Sequence, residues 1–163
     1  MQSDEKIQAH LVSVWRESKK FFSVGGREGM LVLTDKHLTY VHKTESKMNW
    51  WKAITQRQVI NFLKSKNTMV HHDGYCEEDL VIDLENSKNV ELEFDDIDKI
   101  SFEEKVWGSA LNLEYEKNGK KENFQYAIAQ DWVKYPIKEP TKFMKVDWEP
   151  FVQYIKERQN FTN

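Results

Sequence analysis

Gly29-Met30-Leu31-Val32-Leu33-Thr34-Asp35-Lys36-His37-Leu38-Thr39-Tyr40-Val41-His42 is the stretch that decides the fold. Gly29 opens an apolar run, Asp35-Lys36 supply turn residues, and Leu38 and Tyr40 then alternate with Thr39 and Val41. Two strands joined so closely must run antiparallel, because a parallel pair needs a crossover of a dozen or more residues. Upstream, Lys19-Lys20-Phe21-Phe22-Ser23-Val24 is closed by Gly25-Gly26 and reads as a further strand and turn, which makes a three-stranded meander. Earlier still, Ser3 can cap a helix with Asp4 and Glu5 in its first turn. Ile7, Leu11, Val14 and Trp15 share a helical face, so the spacing predicts a helix over residues 1–18.

After His42 the period lengthens. Asn49 can cap a helix running to about Lys66 with Trp51, Ile54, Val59, Phe62 and Leu63 along one stripe. Residues 67–75 read as a loop, and Glu77 to Leu84 as a second, short helix, so residues 49–86 form a helical insertion. Alternation returns at Val90-Glu91-Leu92-Glu93-Phe94. Strands follow over 97–104, 109–116 and 121–128, the last two joined by the hairpin turn Asn118-Gly119. A loop from Ala129 to Lys145 precedes a terminal helix within 146–160. Asp147 is its predicted N-cap, Pro150 lies in its first turn, and Val146 and Phe151 stand at the staple positions around the cap.

Composition bounds the rest. A chain of 163 residues suits one domain spanning 1–163, and 31% charged with 13% aromatic residues pairs a solvated surface with bulky core material. The net charge of -3 gives no overall field toward nucleic acid or anionic membrane, so such attraction has to be local. A lone cysteine, Cys76, fits a reducing compartment, and with a polar start and no long apolar run the expectation is a cytoplasmic chain that does not span a membrane.

Seven strand signals, a helical excursion after the third and one terminal helix resemble the pleckstrin-homology superfamily, its GRAM and bacterial relatives most of all. The likeness is carried by three stretches of the chain. Glu28 to Tyr40 is similar to the family strand G-x-L-x-L-T-x-x-R-L. Phe94-Asp95-Asp96-Ile97-Asp98-Lys99-Ile100 is similar to its polar-Asp-Ile-x-x-Ile step, and Trp148 to Glu157 to its terminal helix. The resemblance implies a mainly β member of the α+β class, a seven-stranded bent barrel capped by the C-terminal helix, with the insertion between strands 3 and 4. It also implies a recognition domain. The segment from Trp50 to Glu85 departs from the family, and of the phosphoinositide motif Lys-x(n)-Lys/Arg-x-Arg only Lys19, Lys20 and Arg27 are present.

Charge is uneven along the chain. Eight basic and four acidic residues lie between Arg16 and Lys52, against twelve acidic residues and only Lys88 and Lys99 between Cys76 and Glu104. Lys19, Lys20, Arg27, Lys36 and Lys43 could form a rim for a phosphate-bearing ligand, since clustered cations hold phosphate through charge-assisted hydrogen bonds; the plain alternative is strand-end charges that keep edges from pairing. The acidic stretch lacks a calcium-loop spacing. His71, His72, Asp73 and Cys76 crowd four ligand types around Gly74 but match no tetrahedral zinc pattern, and Cys76 lies beside Glu77 and Glu78, which disfavour thiolate. No catalytic residue, cofactor or resident metal is expected. Of six tryptophans, Trp51 fits the core, while Trp107 beside a strand turn and Trp132 in the long loop are candidates for a protein-binding patch. The acidic balance argues against nucleic acid. The preferred reading is a non-enzymatic, protein-binding recognition module. The second is peripheral binding of anionic lipid headgroups or phosphorylated ligands through the basic rim, and the third is an enzyme or metal site in loop 71–76.

Overall fold

In the computed structural model, which describes residues 1–18, 27–42, 48–130 and 141–160, the chain forms seven strands and three α-helices. The strands are β1 (Ile7–Ser18), β2 (Arg27–Thr34), β3 (His37–His42), β4 (Val90–Glu93), β5 (Ile97–Lys105), β6 (Gly108–Lys117) and β7 (Lys120–Ile128). The helices are α1 (Met48–Lys64) and α2 (Glu77–Asp83), both between β3 and β4, and α3 (Glu149–Arg158) at the C-terminal end. One antiparallel sheet runs in the order β4-β3-β2-β1-β7-β6-β5. Mainly β content, seven strands, an insertion after the third and a terminal helix are what the sequence led us to expect.

The N-terminal segment is a correction. Residues 1–18 contain β1, and the expected helix is absent there. The reason is a β-bulge. Leu11 pairs with Leu31 and Val14 with Gly29, so three steps along β1 oppose two along β2, and Ser13 takes up the extra residue with φ 53°. Ala9 and Leu11 face the main core, the bulge shifts the phase, and Val14 returns to it. The bulge thereby gives Leu11 and Val14 the three-residue spacing that a helix would show, while Ile7 packs in the outer cluster and Trp15 against Ala129. Beyond the bulge β1 also pairs with β7, Val14 opposite Ile128 through Ser18 opposite Phe124, so this one strand joins the two halves of the bent sheet. The strand expected over 19–24 lies outside the described residues.

The insertion covers the outer face of β1–β3. Val12, Met30, Val32 and Val41 on that face pack against Trp51, Ile54, Tyr75 and Leu80. Strands buried on both faces read as continuous apolar runs, and this is the physical meaning of Met30-Leu31-Val32-Leu33. The α1 stripe differs from the expected one in that Leu63 is exposed while Thr55 and Gln58 are fully buried. Both serve the bulge. The Ser13 and Thr55 hydroxyls lie 2.7 Å apart, and the Gln58 amide accepts from Val12 N–H at 2.9 Å and donates to Val12 C=O at 2.7 Å. His72 Nε2 also donates to Gln58 Oε1, at 2.9 Å.

At the other end, α3 buries Phe151, Val152 and Ile155 in the main core, with Trp148 fully enclosed before it. The helix starts at Glu149 after Trp148, one residue later than expected. Asp147 still contributes, accepting the Glu149 N–H at 3.0 Å. Val146 and Phe151 are both buried, and Trp148 Nε1–H donates to Ser109 C=O at 3.3 Å, which ties the helix start to β6. Asn118 (φ 55°) and Gly119 (φ 76°) make the β6–β7 turn in the conformation that favours this pair.

Candidate functional site

Sequence distance along β2 decides the basic rim. Arg27 opens β2, exposed, and Lys36 lies in the turn after its far end, a separation of roughly 25 Å for a strand of this length. They do not form one site. Lys36 is engaged by Asp4 at 3.0 Å and donates to Gln2 Oε1 at 2.7 Å. Lys19, Lys20 and Lys43 lie outside the described residues. At the Arg27 end the structure adds a residue that the helical reading of residues 1–18 concealed. Arg16 stands opposite Arg27 in the β1–β2 register, and its guanidinium lies 4.4 Å from the Tyr40 ring centroid and 4.2 Å from that of Phe124. Nearby, burial and then the charge of Arg16 hold the His42 imidazole below its ordinary pKa, with smaller charge contributions from Arg27 and Lys88 and an opposing hydrogen bond to the Lys88 main chain. That end of the sheet therefore carries a local positive field.

The aromatic candidates separate in a similar way. Trp132 lies outside the described residues. Trp107 occupies the β5–β6 turn at 43% exposure, beside Val106 at 99%. Its ring meets Phe143 edge-on, with centroids 5.3 Å apart at 66°. Trp107, Phe143, Trp15, Ala127, Gln125 and Glu17 line a groove of about 320 Å³. Four separate parts of the chain supply those walls, the β5–β6 turn with Trp107 being one. β1 gives Trp15 and Glu17, with Trp15 Nε1–H donating to Glu17 Oε1 at 3.0 Å, and β7 gives Gln125 and Ala127. Phe143 is placed by main-chain bonds on either side of it. Ser109 N–H donates to Met144 C=O, Met144 N–H to Ile128 C=O, and Gln130 N–H to Lys142 C=O, while the Gln130 side-chain amide holds Phe143 C=O at 2.9 Å. Gly108 admits that segment: its φ is 155°, and a Cβ there would lie 2.8 Å from Phe143 Cβ.

Loop 71–76 does not assemble the ligand set. His71 is exposed and contacts Tyr75 C=O. His72 is buried on Gln58, and burial pushes its pKa down to about 4, leaving a neutral imidazole. Cys76 is exposed and donates to Asp79 from the start of α2.

Among the described residues a different cluster brings metal-ligating atoms together: Glu5, His37 and Glu91, within 4.8 Å of one another. Their atoms are already engaged. Glu5 accepts from the Thr34 hydroxyl, from Gln2 N–H at 2.8 Å and from His37 Nδ1 at 2.7 Å, while Glu91 pairs with the Met1 amino group at 3.1 Å. The network fastens the N-terminal segment across β3 and β4. Burial works to raise the Glu5 pKa, yet Thr34, Gln2 and His37 together hold it below its ordinary value. A carboxylate depressed in the folded chain contributes stability above its unfolded pKa and loses it as pH falls through the folded value. Glu5→Gln is therefore expected to flatten the decline in stability between about pH 5 and 3, read from urea midpoints across that range. A decline unchanged in the variant would assign it to other carboxylates.

No protein-family model matches the chain, and no curated protein matches it. One similar solved structure is the Vps36 N-terminal PH domain. The TM-score is 0.47 and the identity 14%, over 96% of this chain and 80% of that chain. A likeness of that size says nothing about ligands. Among the described residues, no helix is long and apolar enough to cross a membrane.

Proposed function

We propose that this chain is a non-enzymatic recognition module that docks a partner protein at the groove between Trp15, Trp107 and Phe143. The observation that carries the reading is Trp107, a large aromatic ring 43% exposed at the mouth of a preformed groove. Solvent-facing aromatics beside a pocket are the residue type around which protein interfaces concentrate their binding energy. The groove walls are held by main-chain bonds, so little ordering entropy is lost when a ligand arrives.

A photo-crosslinking amino acid at Val106 tests this, because Val106 is 99% exposed and adjacent to the ring. In extracts of the native cell it should give a discrete adduct that disappears when Trp107→Ala is added, while the same probe at Ile60 on α1 gives no such band. Adducts that are identical from both positions, or indifferent to Trp107→Ala, would sink the proposal.

A second reading is favoured by the positive field at Arg16, Arg27 and Lys88: binding of anionic headgroups or phosphorylated ligands at that end of the sheet. Sedimentation with vesicles containing anionic lipid tests it. If reversing the charge of Lys20 and Arg27 leaves sedimentation unchanged, this reading fails.

A further inference from the structure

We infer that the Trp15–Trp107–Phe143 groove takes a lysine side chain, methylated or not, from the partner polypeptide. The inference rests on the docking reading above and names the chemistry the groove selects. Among the described residues, three aromatic rings and a single carboxylate line it, together with Gln125 and Ala127. Among the described residues, no lysine or arginine lines it. Glu17 is the one carboxylate among the described lining residues, and its hydrogen-bond partner among them is the Trp15 indole N–H, a neutral donor bound to Oε1. One oxygen of Glu17 is thus oriented by the ring beside it, and the other, which has no partner among the described residues, can meet an arriving cation.

An ammonium group gains from both kinds of wall. Aromatic faces attract cations through their quadrupoles, and a carboxylate beside them adds an ion pair in a partly desolvated setting. Lysine fits the mixed lining in a second respect, since its four-carbon stem can lie along Trp107, Phe143 and Ala127 while the charged head reaches Glu17. A purely apolar ligand would cover the carboxylate without pairing it, which costs free energy. An anionic ligand would meet Glu17 with like charge. Trp107 and Phe143 meet edge-on at 66°, so these two rings do not form a parallel slot for a planar guanidinium, and the compact ammonium head of lysine is the cation proposed.

The test uses the intact chain and three small probes: the N-acetyl, N′-methylamide forms of lysine, trimethyl-lysine and norleucine, whose side chain is the neutral counterpart. Binding is followed by the NMR signals of the indole N–H groups. Lysine and trimethyl-lysine should shift the Trp15 and Trp107 signals and leave that of the enclosed Trp148 in place, each binding about fivefold more tightly than norleucine. Glu17→Gln keeps an acceptor for the Trp15 indole and should remove the ion-pair part of lysine's advantage over norleucine, leaving the smaller part owed to the aromatic faces, while trimethyl-lysine keeps more of its advantage. Norleucine binding as tightly as lysine, or neither signal moving with either cationic probe, would overturn the inference. The Val106 crosslinking result is independent of these probes. A specific adduct together with equal binding of norleucine would leave the docking reading standing and remove the lysine.

Discussion

Gln58→Leu is expected to destabilise the folded chain by about 3–5 kcal/mol, although leucine nearly matches glutamine in volume and suits a helix interior. The cost comes from what the leucine cannot do. The Gln58 amide satisfies both main-chain groups of Val12 and accepts from His72, in a site where Gln58 and Val12 are fully buried and His72 nearly so. Removing it orphans three buried polar groups, and each carries a penalty of roughly 1–3 kcal/mol, offset in part by the leucine's greater hydrophobicity. Urea unfolding followed by tryptophan fluorescence should show a midpoint shifted to lower denaturant with an unchanged slope. A loss below about 1 kcal/mol would mean that water reaches the bulge and that α1 is not what satisfies it.

The same group of residues explains where sequence reasoning succeeded and where it did not. Alternation and turn chemistry exposed β2 to β7, because those signals are local: Asp35-Lys36 and Asn118-Gly119 each sit between the strands they join. β1 was concealed because its pattern is set by partners far along the chain. Its bulge at Ser13 is stabilised by Thr55 and Gln58, some forty residues away, and nothing adjacent in sequence marks it. Two signals were nonetheless present. The unbroken apolar run Met30 to Leu33 announces a strand covered on both faces, and polar Thr55 and Gln58 interrupt the stripe of an otherwise apolar helix face. Together they place the insertion over the outer face of the sheet.

For the candidate site the division is sharper. Trp107 could be singled out from its place beside a glycine at a strand turn. Its partners Trp15 and Phe143 could not, since they lie 92 residues upstream and 36 downstream, and only the β1–β7 pairing and the main-chain bonds of residues 142–144 bring them to it. The reading of residues 1–18 as a helix hid Glu17 and Arg16 for the same reason. A strand places those consecutive residues on opposite faces, so Arg16 reaches the aromatic rings of the barrel interior while Glu17 joins the outer groove.

Gly29→Ala is expected to cost about 2–4 kcal/mol, an unusually large effect for one methyl group in a strand, where glycine is ordinarily the weaker residue. The cause is how closely β3 crosses it. A Cβ at Gly29 would lie 2.4 Å from Val41 O and 2.6 Å from Tyr40 Cζ, and the first of these is main chain that cannot step aside. Tyr40 is itself anchored over the glycine, its hydroxyl donating within reach of both Val14 C=O at 3.0 Å and Arg27 C=O at 2.8 Å, so moving the ring disturbs the point where β1 leaves its bulge. Arg16 then loses part of its stacking on Tyr40. A double-mutant cycle separates these contributions. In a Tyr40→Leu background the ring clash is gone, and Gly29→Ala should cost at least about 1 kcal/mol less than in the wild type, the remainder reporting the Val41 carbonyl. Equal costs in the two backgrounds would show that the ring is not what requires glycine there. The contact matters beyond stability because Tyr40 and Arg16 lie just inside the same end of the sheet as Arg27. A chain that folds with Gly29→Ala but binds anionic vesicles differently would tie that ring directly to the positive surface.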